Sequence, residues 1–316
     1  MISPKVILRS ISPPILWALG HKIKCYLGHS NLLQAGAFEG PVTSWAEAMA
    51  RSDGWDAPVI TSKTLESALQ VRDGLAIFEQ DGVIRENILY STTVLASIIF
   101  ALSLRPGHLN VIEFGGGLGT GYFQNRKILQ NLRGVQISWN IVERPDLAAL
   151  GSEHFEKSDL HFFSSVDAAI ASLKEIPDLF LFSGSLQCIA EPLTLLDRMI
   201  KMGARVLAFD RLLVSPTAEH AVFIQHPDPK KHYPATYPAW CFSKDVFIRD
   251  LVEKRFTLVD HFSTDPQAHF DHCGMIFIHH PWSADINFHV DSDLLTSVGQ
   301  SSKRQLFEYA KYRDRS

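Results

Sequence analysis

Cysteine is scarce in this chain. Cys25, Cys188, Cys241 and Cys273 stand far apart among 316 residues, and no two form a C-x-x-C pair. That scarcity argues against a disulfide framework and a structural zinc site, and it fits a reducing cytoplasm. A large excess of one charge is also missing. Thirty Lys and Arg face 34 Asp and Glu, for a formal charge of −4, and no long Lys/Arg run occurs. The footprint of a nucleic-acid binder is therefore lacking. No internal repeat or low-complexity segment is visible, and 46% apolar content over this length allows one large globular domain or two moderate ones. No clean apolar run is long enough for a bilayer span. The uncharged stretch 87–104 comes nearest, but it carries Asn87, Ser91, Thr92, Thr93, Ser97 and Ser103 and predicts a helix buried against a sheet. Acidic residues are missing from positions 1–38, where Lys5, Arg9, Lys22 and Lys24 are interleaved with apolar side chains such as Ile7, Ile11, Leu16, Trp17 and Ile23. Pro13 and Pro14 interrupt this stretch, so it cannot span a membrane, and no small-residue cleavage site follows it as in a signal peptide. A basic, Trp-containing amphipathic arm can lie on an anionic membrane face, or it can pack on the body of the protein.

What the chain does have is a glycine-dense turn. Residues 110–114, Asn-Val-Ile-Glu-Phe, predict a buried strand, and Gly115-Gly116-Gly117-Leu118-Gly119 follows at once. Glycine permits positive φ and close approach of a ligand to the backbone. A strand, glycine loop and helix in this order present bare N–H groups and the positive end of a helix dipole to a nucleotide-like molecule. The dinucleotide fingerprint G-x-G-x-x-G is incomplete, because Thr120 holds its third glycine position. Glu113, Gly115, Gly117 and Gly119 instead read E-x-G-x-G-x-G. An acid at the strand end suits a ligand with a cationic end and repels a pyrophosphate. The next predicted strand, 138–142, also ends in an acid, Glu143, placed to accept hydrogen bonds from ribose hydroxyls.

The rest of the chain alternates. Strands are predicted at 111–114, 138–142, 160–163, 179–183, 205–209, 256–262 and 274–279, with helices at 122–132, 145–155, 166–173, 192–202 and 244–254. Such alternation implies an α/β fold, a doubly wound, mostly parallel, seven-stranded sheet. Ahead of it, Ser44-Trp45-Ala46-Glu47 is a capping box. Helices are expected over 62–78 and from near Glu86 to just before Pro106. The expected division is an arm at 1–37, a helical extension at 38–106, a ligand-binding domain at 107–282 and a tail at 283–316.

Several motifs, in this order, resemble a mostly bacterial family of class I S-adenosylmethionine (SAM) methyltransferases often encoded among surface-polysaccharide genes. They are Phe38-Glu39-Gly40 with Ser44-Trp45; Glu113 to Gly119, similar to the family's motif I; Tyr122-Phe123-Gln124-Asn125-Arg126-Lys127; Val142-Glu143-Arg144-Pro145; Ser183 with Ser185-Leu186-Gln187; Asp210-Arg211; and Tyr237-Pro238 with Trp240 and Phe242-Ser243. The resemblance implies the Rossmann-like methyltransferase sheet, whose last strand runs antiparallel, and SAM as cofactor. Methyl transfer to a small-molecule or saccharide acceptor, at oxygen, in polysaccharide biosynthesis is the resulting expectation, in a cytoplasmic protein with possible peripheral contact at the inner membrane face.

In this reading Glu113, Gly115, Gly116, Gly117 and Gly119 surround the methionine moiety, Glu143 holds the ribose, and Ser164 and Asp167 lie near the adenine. Ser183, Ser185 and Gln187 follow the fourth strand. Asp210 is a candidate general base. Arg211 either binds an anionic acceptor or pairs with Asp210. Tyr237 and Trp240 either wall the acceptor pocket or belong to the core. His269-x-x-His272 with Cys273 has the donors of a metal site, yet loop and surface histidines explain the cluster more cheaply, so no metal is expected. Two other classes stay open, a nonenzymatic SAM-binding scaffold at a membrane face and an NAD-dependent oxidoreductase on the same topology.

Overall fold

The structure is a computed structural model and describes residues 38–228, 232–263 and 270–279. The basic arm, the tail, Cys25 and His269 lie outside the described residues. In chain order the elements are β1 (Phe38–Val42), α1 (Trp45–Ala50), α2 (Pro58–Arg72), β2 (Phe78–Gln80), β3 (Val83–Arg85), α3 (Thr92–Leu104), β4 (His108–Phe114), α4 (Thr120–Leu129), β5 (Gln136–Val142), α5 (Pro145–His154), β6 (Leu160–Phe163), α6 (Val166–Ser172), β7 (Leu179–Ser183), a 3-10 turn (Leu186–Cys188), α7 (Pro192–Lys201), β8 (Val206–Ser215), β9 (Ala221–Gln225), β10 (Tyr237–Ser243), α8 (Lys244–Glu253), β11 (Phe256–Phe262) and β12 (Asp271–His279).

Strands β6, β5, β4, β7 and β8 lie side by side and parallel. β12 pairs antiparallel with β8, and β11 antiparallel with β12. This is the expected doubly wound arrangement, and the sheet is larger than expected, with ten strands rather than seven. The extra ones come from outside the alternating pattern. β10 joins β8 in parallel at Val214 and Ser215, β9 pairs antiparallel with β10, and β1 with β9. Residues 38–106 are therefore not purely helical. They supply β1 to this sheet and form the separate hairpin β2–β3.

Two-residue alternation sorts the central strands into two cores. Leu109, Val111, Trp139, Ile141, Leu179 and Leu181 face one side, where Val94 and Ile98 of α3 and Tyr122 and Phe123 of α4 cover them. Ile112, Phe180, Phe182, Leu207, Phe209 and Phe277 face the other, under Leu196 and Met199 of α7 and Phe247 and Leu251 of α8. Full burial of such a side chain stabilises by about 1.5–3 kcal/mol. The uncharged stretch becomes α3, 13 residues long and capped by Ser91 Oγ, which accepts from Val94 N. It packs on the sheet as expected. No helix among the described residues is long and apolar enough to cross a membrane. α2 stops at Arg72, where the reading from spacing carried a helix on to Phe78. Asp73 caps it and Gly74 follows at φ +75, and Phe78 turns into β2 instead.

Candidate active site

The carboxyl ends of β4, β5 and β7 and the middle of β8 open into one cavity of about 850 Å³. It sits where the order of the parallel strands reverses, between β4 and β7, the usual ligand crevice of an open α/β sheet. Segments from the N-terminal extension roof it, including Trp55, Thr64, Asp81 and Tyr90 to Thr93.

At one end lies the glycine loop. Gly117 has φ +59 and nothing nearer than 3.9 Å to where a Cβ would be, so its backbone faces open space. Gly115 packs so closely on Ser185 that a Cβ would lie 2.5 Å from the Ser185 Cβ. Glu113 is 1% exposed and fills the space beneath the loop. Its Oε2 accepts from Trp139 Nε1 at 2.7 Å, and Cβ atoms added at Gly116 or Gly121 would come within 2.9 Å and 2.5 Å of its carboxylate oxygens. Burial pushes its pKa up to about 7, against the pull of the Trp139 hydrogen bond. Glu113 thus orders the loop from below. Glu143 lines the cavity and ties the loop to β5: Oε1 accepts from Gly117 N at 3.1 Å, and Oε2 from Arg144 N at 2.9 Å. Burial raises its pKa as well. Ser164 and Ser165 line the same end.

Three expected site residues lie elsewhere. Gly119 is the left-handed N-cap of α4, packed on the Phe123 ring, and does not line the cavity. Asp167 sits exposed in the first turn of α6 and pairs with Arg198. Gln187 is buried outside the lining, and its Nε2 donates to the Arg211 carbonyl at 3.1 Å.

The other end is built around Asp210 and Arg211. β12 pairs Cys273 with Leu212 and Met275 with Phe209, so Asp210 and Arg211 together face the single residue Gly274. Adjacent strand residues normally point to opposite faces. This bulge lets both line the cavity. Arg211 adopts φ +54, a conformation that costs a non-glycine residue about 1–2 kcal/mol. Compensating contacts hold it there. Its Nη1 pairs with Asp81 Oδ2 at 2.9 Å, and its Nε lies 3.8 Å from Asp210 Oδ2. Asp210 accepts from Ser91 Oγ at 2.8 Å and from Ser183 Oγ at 2.7 Å. Ser185 Oγ donates to the Phe114 carbonyl at 2.5 Å.

Tyr237 and Trp240 do not wall the cavity. Tyr237 is 2% exposed and stacks on Trp55 at 3.7 Å. Trp240 stacks on Trp45 and donates Nε1 to the Ile189 carbonyl. Both belong to β10, whose pairing with β9 commits them to the core. The aromatic lining comes instead from Trp55, Phe78, Tyr90, Phe114, Tyr233 and Phe262. Sequence reasoning also missed Asp81, Ser91 and Tyr233, and left His272 among surface histidines. The hairpin signal Asp81-Gly82 was available for the first of these. No group of three or more His, Cys, Asp or Glu among the described residues is arranged to hold a metal ion.

No family model and no curated protein matches the chain. Among solved structures it is similar to the Burkholderia thailandensis 1,6-didemethyltoxoflavin-N1-methyltransferase with bound 1,6-didemethyltoxoflavin and S-adenosylhomocysteine (SAH), at 16% identity and TM-score 0.39 over 77% of this chain and 93% of that one. It is also similar to the N-terminal domain of EvdMO1 crystallised in the presence of SAH and D-fucose, at 14% identity and TM-score 0.43 over 72% and 97%. A third is the glycopeptide N-methyltransferase MtfA complexed with SAM, at 13% identity and TM-score 0.40 over 61% and 96%. The fold is a doubly wound, Rossmann-like α/β sheet, with β10, β9 and β1 added through the far end of β8.

Proposed function

We propose that this chain is a SAM-dependent methyltransferase acting on a small-molecule or saccharide acceptor, at oxygen. The observation that carries the reading is the convergence of the open Gly115–Gly117 backbone and Glu143 on one cavity, with Glu113 packed beneath the loop. The residues fit the cofactor. A loop without side chains suits close passage of the methionine part, Glu143 can take the ribose hydroxyls, and Ser164 and Ser165 lie where the adenine would rest. SAM, when bound, supplies a methyl group activated by its sulfonium. The chain's own work is to align the acceptor and exclude water, and the roof of Trp55, Tyr90 and Tyr233 suits both tasks. The hydroxyl-rich and aromatic acceptor end suits a polyhydroxylated ligand. A role in surface-polysaccharide assembly extends the motif resemblance.

Calorimetry with SAM and SAH tests the cofactor. Both should bind, and Glu143→Ala should weaken SAH by about 30- to 100-fold, the loss of charge-assisted hydrogen bonds worth roughly 2–3 kcal/mol. No heat from either ligand on folded protein would sink the proposal. Labelled-methyl transfer from SAM into an envelope glycan extract then tests the acceptor class.

A further inference from the structure

We propose that His272 accepts the proton released by the acceptor, and that Asp210 instead serves as an anchor for the roof. This deepens the methyltransferase reading and rests on it. Asp210 already accepts two serine hydroxyls, one from the roof and one from β7, and lies beside Arg211. Asp81 is held by Arg211 and lies 3.4 Å from His232 Nδ1. Glu113 is sealed beneath the loop by Gly116 and Gly121. Glu143 receives two backbone N–H groups at the ribose end. The Tyr233 oxygen receives Thr64 Oγ1 at 3.2 Å, and Cys188 Sγ is turned onto the Gly184 carbonyl at 3.3 Å. His272 differs from all of these. It is exposed, lines the cavity next to Ser263 and Gly274, and its ring takes no hydrogen bond from any described residue.

The position follows from the fold. β12 sets His272 opposite Leu213, just past the bulge that carries Asp210 and Arg211, so the imidazole stands at the acceptor end. The charged and titratable groups that face it are Arg211 from β8, Asp81 from the hairpin, His232 from the segment before β10, and Asp271 on its own strand. Partial desolvation within the cavity and the Arg211 charge lower its pKa, and Asp271 and Asp81 pull the other way. The result is a neutral imidazole with a free lone pair near neutral pH. In the step, the acceptor O–H bond breaks and its proton passes to the His272 ring nitrogen. The oxygen forms the new bond to the methyl carbon, and the pair from the broken sulfur–methyl bond stays on sulfur as a neutral thioether. The imidazolium then releases its proton to water.

Histidine-selective NMR of the full chain tests this without a known acceptor, with His272→Gln assigning the signal. SAM and SAH differ by one methyl group and one positive charge. An imidazole facing the reacting methyl should titrate about half a pH unit or more lower with saturating SAM than with saturating SAH. Identical titrations with both ligands bound would overturn the role of His272 and leave the cofactor reading standing. No binding of either would overturn both. As a second readout, His272→Gln should retain SAH affinity within threefold while losing at least tenfold in labelled-methyl incorporation into the glycan extract at pH 7. Full incorporation by that variant would also refute the proposal.

Discussion

The two ends of the cavity are assembled in different ways. At the loop end, Glu113, Gly115 to Gly117 and Glu143 come from one strand–turn–helix unit and the strand beside it. Links of 26 residues tie Gly117 to Glu143 and Trp139 to Glu113 there. At the other end, Asp81, Ser91, the adjacent pair Asp210 and Arg211, Tyr233 and His272 come from five places in the chain. Ser91 and Asp210 are 119 residues apart, and Asp81 and Arg211 are 130. The first end is a local motif, and the second exists only when the N-terminal extension is docked. Polar contacts mark that docking: Glu79 to Thr120, Leu89 to Gln124, and Trp55 and Thr61 to Arg144.

The sharpest way to break this contrast is Gly121→Val. Its Cβ would meet the Glu113 carboxylate at 2.5 Å, so overpacking should cost about 3 kcal/mol or more. Chemical denaturation should show that loss, and SAH binding should vanish with it. A change confined to the loop end should follow from Glu113→Gln, which keeps an oxygen for Trp139. The pKa of about 7 for Glu113 lies above its unfolded value of 4.5, so the folded state holds the proton more tightly. That carboxyl therefore destabilises the fold progressively as pH rises from about 4.5 to about 7, and by a constant amount above. Denaturation at pH 5 and pH 8 should show the variant gaining roughly 1–3 kcal/mol relative to wild type at the higher pH. An unchanged difference would mean that Glu113 ionises freely. The smallest effect belongs to the other end. Ser91→Ala removes one of the two hydroxyls on Asp210 and should lower stability by about 1–2 kcal/mol, with SAH affinity changed less than threefold. A large loss of SAH affinity would show that the two ends are coupled.

The same contrast explains what could be read in advance. Strands 160–163, 179–183 and 256–262 were located to the residue, because short apolar runs bounded by turns need little context. The E-x-G-x-G-x-G turn announced the loop end. β1, β9 and β10 were missed because each is a strand by virtue of its neighbour. Tyr237 and Trp240 were left between cavity wall and core, and pairing with β9 buries the first in the core and stacks the second on α1. Asp210 and Arg211, singled out as site candidates, both line the cavity. Their partners Ser91 and Asp81 were not, since nothing in either local sequence points across more than a hundred residues.

Local sequence determined the glycine turn, the acids closing β4 and β5, and the alternation that sorts two cores onto one sheet. Those features follow from φ/ψ limits and side-chain period, which act over a few residues. Tertiary structure alone decided which hydroxyls hold Asp210, which carboxylate holds Arg211, and that His272 faces the same cavity. Sheet register, one bulge at Gly274 and the docking of the roof fix those distances, and each is a property of segments meeting in space.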